Sequence, residues 1–185
     1  MPLLKEDYRK QEKIDGIFYD MSTPHYQHGI VSGNICCLIK AGLKNTSFLT
    51  FMRNLEFRYH PKENDDYVIP DVMLVCDRKH LKGGSYSGVP RLIVETLSPS
   101  TAFRDKTTKK DIYEKAGVEE YWIVSPKGES VEIYYLQDDA CVLTHSYILQ
   151  DDSEENDYNA DTVIALRSFP EIRMKLYELF EGVNV

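Results

Sequence analysis

Leu92-Ile93-Val94-Glu95-Thr96-Leu97 is the stretch on which the reading of this chain turns. Apart from Glu95, every residue in it is apolar or β-branched, the composition of a strand covered on both faces. A carboxylate in such a run is expensive. Desolvating it costs several kcal/mol, on the order of 5, unless a partner compensates it. A second run, from Tyr67 to Cys76, carries Asp71 directly after Pro70. Glu95 could be paired with a buried Arg or Lys, and Asp71 could be a strand-edge acid; two acids in two core strands followed by a lysine-bearing helix also suit a metal-dependent site.

Working outward from this stretch, Ser98-Pro99-Ser100-Thr101 ends the strand and offers a helix cap. A helix is expected over 102–116, closed by Gly117. Glu120-Tyr121-Trp122-Ile123-Val124 reads as a further buried strand. Strand, helix and strand in that order imply a parallel pair joined by a right-handed crossover. Upstream, 13–21 reads as a hairpin turning at Asp15-Gly16. Ser22 or Thr23 is expected to cap a helix with Pro24 in its first turn, running to about Ala41. Strands are expected near 49–58 and 67–76, joined by the turn 61–66, and a Gly-rich basic loop over 78–90. Downstream, 131–136 and 141–148 read as a hairpin, 150–161 as an acidic loop, 162–166 as a short strand and 171–180 as a final helix. Residues 1–10 read as a short helix or loose arm. The sum is an α/β fold with a mixed β-sheet flanked by helices. No repeat or linker divides it, so 1–185 is expected to form one domain.

Composition narrows the class. The chain has 185 residues, of which 42% are hydrophobic, enough for a real core. No run approaches the roughly 20 apolar residues of a membrane span. The first residues lack the basic-then-apolar layout of a secretory signal. Cys36, Cys37, Cys76 and Cys141 show no Cys-x-x-Cys spacing, so reduced thiols and a cytoplasmic protein are expected, and zinc is not. The net charge of −8 argues against a general nucleic-acid coat protein. Its distribution is uneven: Arg78 to Lys115 holds nine basic residues and four acids, whereas Glu129 to Asp161 holds ten acids and no Lys or Arg. That asymmetry allows a positive face over one site.

The constellation suits metal-dependent phosphodiester cleavage. Such a reaction needs an activated water and neutralisation of the phosphate, both of which Mg²⁺ supplies. Mg²⁺ prefers oxygen ligands in octahedral geometry and keeps several waters. Asp71, Glu95 and the main-chain carbonyl of Thr96 or Leu97 form a sufficient protein set, with Mn²⁺ an acceptable substitute. A lysine would orient the water or offset developing negative charge.

The ordered motifs carry a resemblance. They are Pro70-Asp71, Val94 to Thr101, Asp105…Lys109…Tyr113, and Gly117-Val118-Glu119-Glu120-Tyr121-Trp122-Ile123-Val124. Together they resemble the Uma-type restriction endonucleases of the PD-(D/E)XK nuclease superfamily, over most of the chain. The resemblance implies a restriction-endonuclease-like core, a Mg²⁺ requirement and DNA as substrate. It also implies catalytic roles for Asp71, Glu95 and Lys109. Two departures stand out. The superfamily's usual lysine, two residues after the second acid, is replaced here by Leu97, and the resemblance suggests its transfer to Lys109 on the next helix. The acid usual before the proline that follows the Tyr-Trp strand is replaced by Ser125.

Lys109 and Tyr113 are spaced i, i+4 and share a helical face with Asp105. Asp105 and Lys109 could equally form a surface ion pair, and Lys110 takes the catalytic place if the register is off by one. His28 matches a histidine common in the family and, with Gln27 beside it, is a candidate for the metal shell or substrate. Competing readings stay open: a catalytically inactive relative serving as a binding or dimerisation module, and a nuclease acting on RNA or damaged DNA. A homodimer is expected, because cutting a duplex with one such site needs two subunits or two nicks. The hairpin near Tyr134 and Tyr135 is the expected interface.

Overall fold

The computed structural model describes residues 10–150 and 159–184. The expected arm at the N-terminus and most of the acidic loop lie outside them. The centre is a six-stranded sheet in the order β11-β10-β9-β8-β5-β3. Its strands are β3 (Leu49–Met52), β5 (Val72–Val75), β8 (Leu92–Thr96), β9 (Glu120–Ser125), β10 (Ser130–Gln137) and β11 (Ala140–Ile148). Only β8 and β9 run parallel, and the remaining pairs are antiparallel, so the sheet is mixed.

β5 and β8 are buried at every position. This follows from their uninterrupted Val/Ile/Leu/Met content and their cover on both faces. On one face, Val72, Leu74, Leu92, Val94, Trp122 and Val124 pack against Val31, Ile35 and Ile39 of α1 (Tyr26–Gly42) and against α4 (Leu176–Phe180). On the other, Met73, Val75, Ile93, Tyr121 and Ile123 meet Ile112 and Tyr113, with Ile14, Phe57 and Tyr86. The last three come from the hairpin β1 (Gln11–Ile14) and β2 (Ile17–Asp20), and from a small sheet of β4 (Glu56–Phe57), β6 (Leu81–Lys82) and β7 (Ser85–Tyr86). One continuous helical stretch joins β8 to β9. It comprises α2 (Ala102–Arg104), a π-helical turn (Asp105–Lys109) and α3 (Lys110–Lys115). The strands β12 (Val163–Ala165) and β13 (Arg173–Lys175) form a separate pair.

Several expectations are corrected. The strand placed over 49–58 is two strands in two sheets, because Arg53 adopts φ 49° and turns the chain out of the large sheet. Neither Ser22 nor Thr23 caps α1: His25 is the residue before it, and the Ser22 Oγ instead meets the Ser100 Oγ at 3.3 Å. α1 ends at Gly42, beside its expected end near Ala41, and a Cβ there would come within 2.8 Å of Ile172. The loop at 78–90 contains a 3₁₀ turn and two short strands. The expected final helix begins only at Leu176, since Arg173–Lys175 pairs with β12.

Candidate active site

β5 and β8 run antiparallel with Val72 opposite Val94. One step further, the same register sets Asp71 opposite Glu95. Directly opposed residues project from the same sheet face. The two acids that interrupt the core runs are therefore neighbours at one end of the central strands, and both are buried.

Asp71 is held from three directions. Its Oδ2 accepts from the Thr96 backbone N–H at 2.8 Å and lies 3.0 Å from Nε2 of His28, while Oδ1 is 3.2 Å from Nη1 of Arg53. Burial pushes this carboxyl up. The His28 contact and the charges of Arg53 and Lys109 outweigh burial and hold it below the usual carboxylate range. His28 is fixed in turn: Ser32, one turn along α1, donates to its carbonyl at 2.8 Å and lies 2.9 Å from Thr96 Oγ1.

Glu95 is held differently. Its Oε1 accepts from Lys109 Nζ at 3.0 Å and from the Tyr113 hydroxyl at 2.5 Å. Burial raises its pKa well above the ordinary value. Lys109 opposes that shift, and the neighbouring Asp71, Asp105 and Glu12 add to it. Lys109 is only 4% exposed and faces three carboxylates, at 2.7 Å (Glu12), 3.0 Å (Glu95) and 3.7 Å (Asp105). Burial favours the neutral amine, but the three acids dominate and raise its pKa, so it stays an ammonium. The π-helical turn carries Asp105 and Lys109, and Tyr113 follows one turn later, so all three reach the same side.

Of the residues expected from sequence, Asp71, Glu95, Lys109, Asp105, Tyr113 and His28 converge. Lys110 does not: its Nζ is 3.8 Å from Glu114 and 5.7 Å from the Tyr134 ring centre, on another side of the helix. Gln27 reaches the Val183 carbonyl at 3.4 Å and lines the cleft beside the site. Leu97, in the place of the usual strand lysine, is half-buried and packs on the apolar cluster around Tyr113. Glu12, Arg53 and Arg104 were not anticipated. Glu12 bonds Lys109 and accepts from the Ile69 backbone N–H at 2.9 Å, and Arg104 lies over Tyr19 at 4.1 Å. Strand alternation marks Glu12, since Ile14 two residues on points to the core. Arg53 depends on a left-handed backbone that no local pattern announces.

These groups enclose a cavity of ≈ 30 Å³, about the space of one water. Its lining includes five acidic side chains (Glu12, Asp20, Asp71, Glu95, Asp105) and three permanent cations (Arg53, Arg104, Lys109), so acids outnumber cations by two. Asp105 Oδ1 is buried with no hydrogen-bond donor. Among the described residues, no three His, Cys, Asp or Glu side chains are arranged to hold an ion by themselves. A set of two carboxylates, a main-chain carbonyl and waters remains open. Hard oxygen donors in an acid-rich lining fit Mg²⁺ in kind.

The family model described as "Uma2: Putative restriction endonuclease" matches residues 1–173. The chain belongs to this family. A relative, the uncharacterised protein slr1290 of Synechocystis, is 27% identical over 143 residues, covering 77% of this chain and 74% of its own. Among solved structures, one described as "a putative nuclease belonging to DUF820", from Anabaena variabilis, superposes with a TM-score of 0.72. It is 18% identical, covers 97% of this chain and 94% of its own, and establishes a shared fold. The Uma2 match over residues 1–173 includes both Asp71 and Glu95. No helix among the described residues of this Uma2 chain is long and apolar enough to cross a membrane.

Proposed function

We propose that the chain is a Mg²⁺-dependent endonuclease that hydrolyses phosphodiester bonds in DNA. The observation that carries this reading is the buried, acid-rich cavity in which Asp71 and Glu95 stand opposed while Lys109 lies 3.0 Å from Glu95. Asp71, Glu95 and the Thr96 carbonyl would hold Mg²⁺, or Mn²⁺ in its place. When bound, the ion supplies charge neutralisation at the phosphate and a more acidic water. The chain's own groups set the stage for that chemistry. His28 and Arg53 fix the Asp71 carboxylate, and Tyr113 fixes Glu95. Lys109, kept charged by Glu12 and Asp105, offers a preorganised ammonium to negative charge gathering on the phosphate as water adds and the ester oxygen leaves.

The test is nicking of supercoiled plasmid with Mg²⁺ by wild type, Glu95→Ala and Lys109→Ala. Each variant is expected to lose at least about 100-fold, the usual scale for removing one transition-state charge partner. Equal nicking by all three would identify a contaminant and end the proposal. The reading of an inactive binding module draws on Leu97 in the lysine's usual place. It predicts no Mn²⁺ or Mg²⁺ isotherm by calorimetry, and an isotherm abolished by Asp71→Asn counts against it.

A homodimer is also proposed, through the hairpin of β10 and β11 that carries the half-buried Tyr134 and Tyr135. Val142, Leu143 and Ile148 are exposed on β11, the edge strand of the sheet. Light scattering that finds only monomer at high concentration would remove this suggestion.

A further inference from the structure

The small polar cavity opens beside a much larger cleft of ≈ 530 Å³, and the two share Ser22, Pro24, His28 and Ser98 as walls. That volume lies in the range of sites that enclose nucleotide-sized molecules. The cleft differs in character from its neighbour. No carboxylate lines it, Lys127 is its one permanent charge, and its surface is mainly apolar, from Pro24, Leu97, Pro99 and Pro126 among others. Hydroxyls of Ser98 and Ser100, 3.2 Å apart, supply polar contact on one side.

Aromatic groups flank it. His25 lines the cleft, and the exposed Tyr26 ring sits 4.5 Å from the His25 ring. His25 is itself exposed, so the two rings offer an aromatic surface at the wall of an apolar cleft that adjoins a charged site. Aromatic faces beside a cationic track are how proteins hold unpaired bases.

We propose that this cleft takes an unpaired nucleobase of a DNA strand whose adjoining phosphodiester lies at the Asp71–Glu95 site, with the His25–Tyr26 pair as the stacking surface. The inference rests on the nuclease reading and specifies its substrate: single-stranded or locally unpaired DNA, in preference to intact duplex. Charge points the same way. A duplex is held mainly through many phosphate contacts to Lys and Arg. Here Arg53, Arg104, Lys109 and Lys127 are the cations that line the two pockets, and the first three already face carboxylates or an aromatic ring. Apolar contact with a base supplies what the sparse cations do not.

The experiment is fluorescence anisotropy in EDTA, with a labelled oligodeoxythymidylate, a blunt duplex of equal length and an oligouridylate. Wild type, His25→Ser and Val163→Ser are compared. Val163 is exposed on β12, away from both pockets, and His25 is exposed at the cleft, so neither substitution disturbs the core. Wild type is expected to bind the single-stranded DNA at least 10-fold tighter than duplex. His25→Ser should lose about 5- to 100-fold on the single strand, the scale of one base–aromatic stack, and little on duplex. Val163→Ser should match wild type. Equal affinity for single strand and duplex, an unchanged His25→Ser variant, absent binding, or tighter binding of the oligouridylate would each overturn the proposal. Because this measurement needs neither metal nor cleavage, a protein that binds as expected but never nicks plasmid disproves the nuclease reading alone. Nicking of duplex without any single-strand preference disproves this inference alone.

Discussion

Glu95 and Glu120 are both glutamates buried in adjacent parallel strands of one sheet, and they differ in every other respect. Glu95 stands near the C-terminal end of β8, on the face shared with Ile93, Tyr121 and Tyr113. Glu120 opens β9 and alternates with Trp122 and Val124 toward the opposite face. Burial raises the pKa of each. Glu120 is then satisfied by two neutral donors, the Trp122 indole N–H at 2.8 Å on Oε1 and the Arg167 backbone N–H at 2.9 Å on Oε2. That leaves a clasp between the sheet and the segment after β12, with both oxygens used. Glu95 has an ammonium and a phenol on a single oxygen and three further carboxylates nearby. A buried acid is therefore no sign of chemistry by itself. Crowding with other acids around one cation, at the edge of a cavity, is the stronger mark.

The largest expected effect tests whether Lys109 is what sets the two apart. Lys109→Ala removes the ammonium shared by Glu12, Glu95 and Asp105 and leaves buried carboxylates uncompensated. It should cost about 3–5 kcal/mol of stability near neutral pH, measured by urea unfolding. Those acids escape by taking up protons, so the loss should shrink as pH falls toward 5. A variant as stable as wild type at pH 8 would mean that Glu95 is as self-sufficient as Glu120.

Glu120 carries the next effect. Its pKa is raised to about 7 by burial, against which the Trp122 hydrogen bond, the Arg167 backbone N–H and the Arg167 charge only partly work. A carboxyl raised above its unfolded value of about 4.5 gives a native state that binds the proton more tightly. Its contribution is full below that value and fades as pH rises through about 7. Wild type should thus lose about 2–3 kcal/mol from this group between pH 4.5 and pH 8. Glu120→Gln removes the titration, and its unfolding free energy should fall less over the same interval. Parallel curves for the two proteins would show that the clasp does not titrate as described. Mg²⁺ should leave the difference between them unchanged, because Glu120 is on the other face of the sheet.

How far the chain could be read without coordinates follows the same division. Asp71 and Glu95 were legible because a single acid in an otherwise apolar run of strand residues violates the pattern. Antiparallel pairing then set them opposite each other. Asp105, Lys109 and Tyr113 were singled out by the family resemblance, and their i, i+4 spacing survives the π-helical turn because the three residues still share a side. Glu120 carried no such contrast: Glu119-Glu120 reads as the polar start of a strand, and only the Trp122 indole and the segment near Arg167 reveal that it is buried. Glu12 alternates with Ile14 but lies just outside the hairpin expected over 13–21, so its burial went unread. Arg53 reaches Asp71 through its φ of 49°, and β4, β6 and β7 are two-residue strands that exist through long-range pairing. Local pattern reports which residues are buried together. It does not report which distant groups come to meet them.

The smallest effect separates neighbours in sequence, Lys109 and Lys110. One residue of helix rotates a side chain by about 100°. At Lys109 that rotation is the difference between an ammonium enclosed by three acids and one that is paired with Glu114 at 3.8 Å, partly in solvent and beside Tyr134. An i, i+4 pair of this kind is worth about 0.3–0.5 kcal/mol. Lys110→Ala should therefore unfold within about 0.5 kcal/mol of wild type and nick plasmid at the wild-type rate. If Lys110→Ala loses activity while Lys109→Ala keeps it, the helix presents the other lysine to the Asp71–Glu95 pair. The cation that distinguishes Glu95 from Glu120 would then have been misassigned by one position.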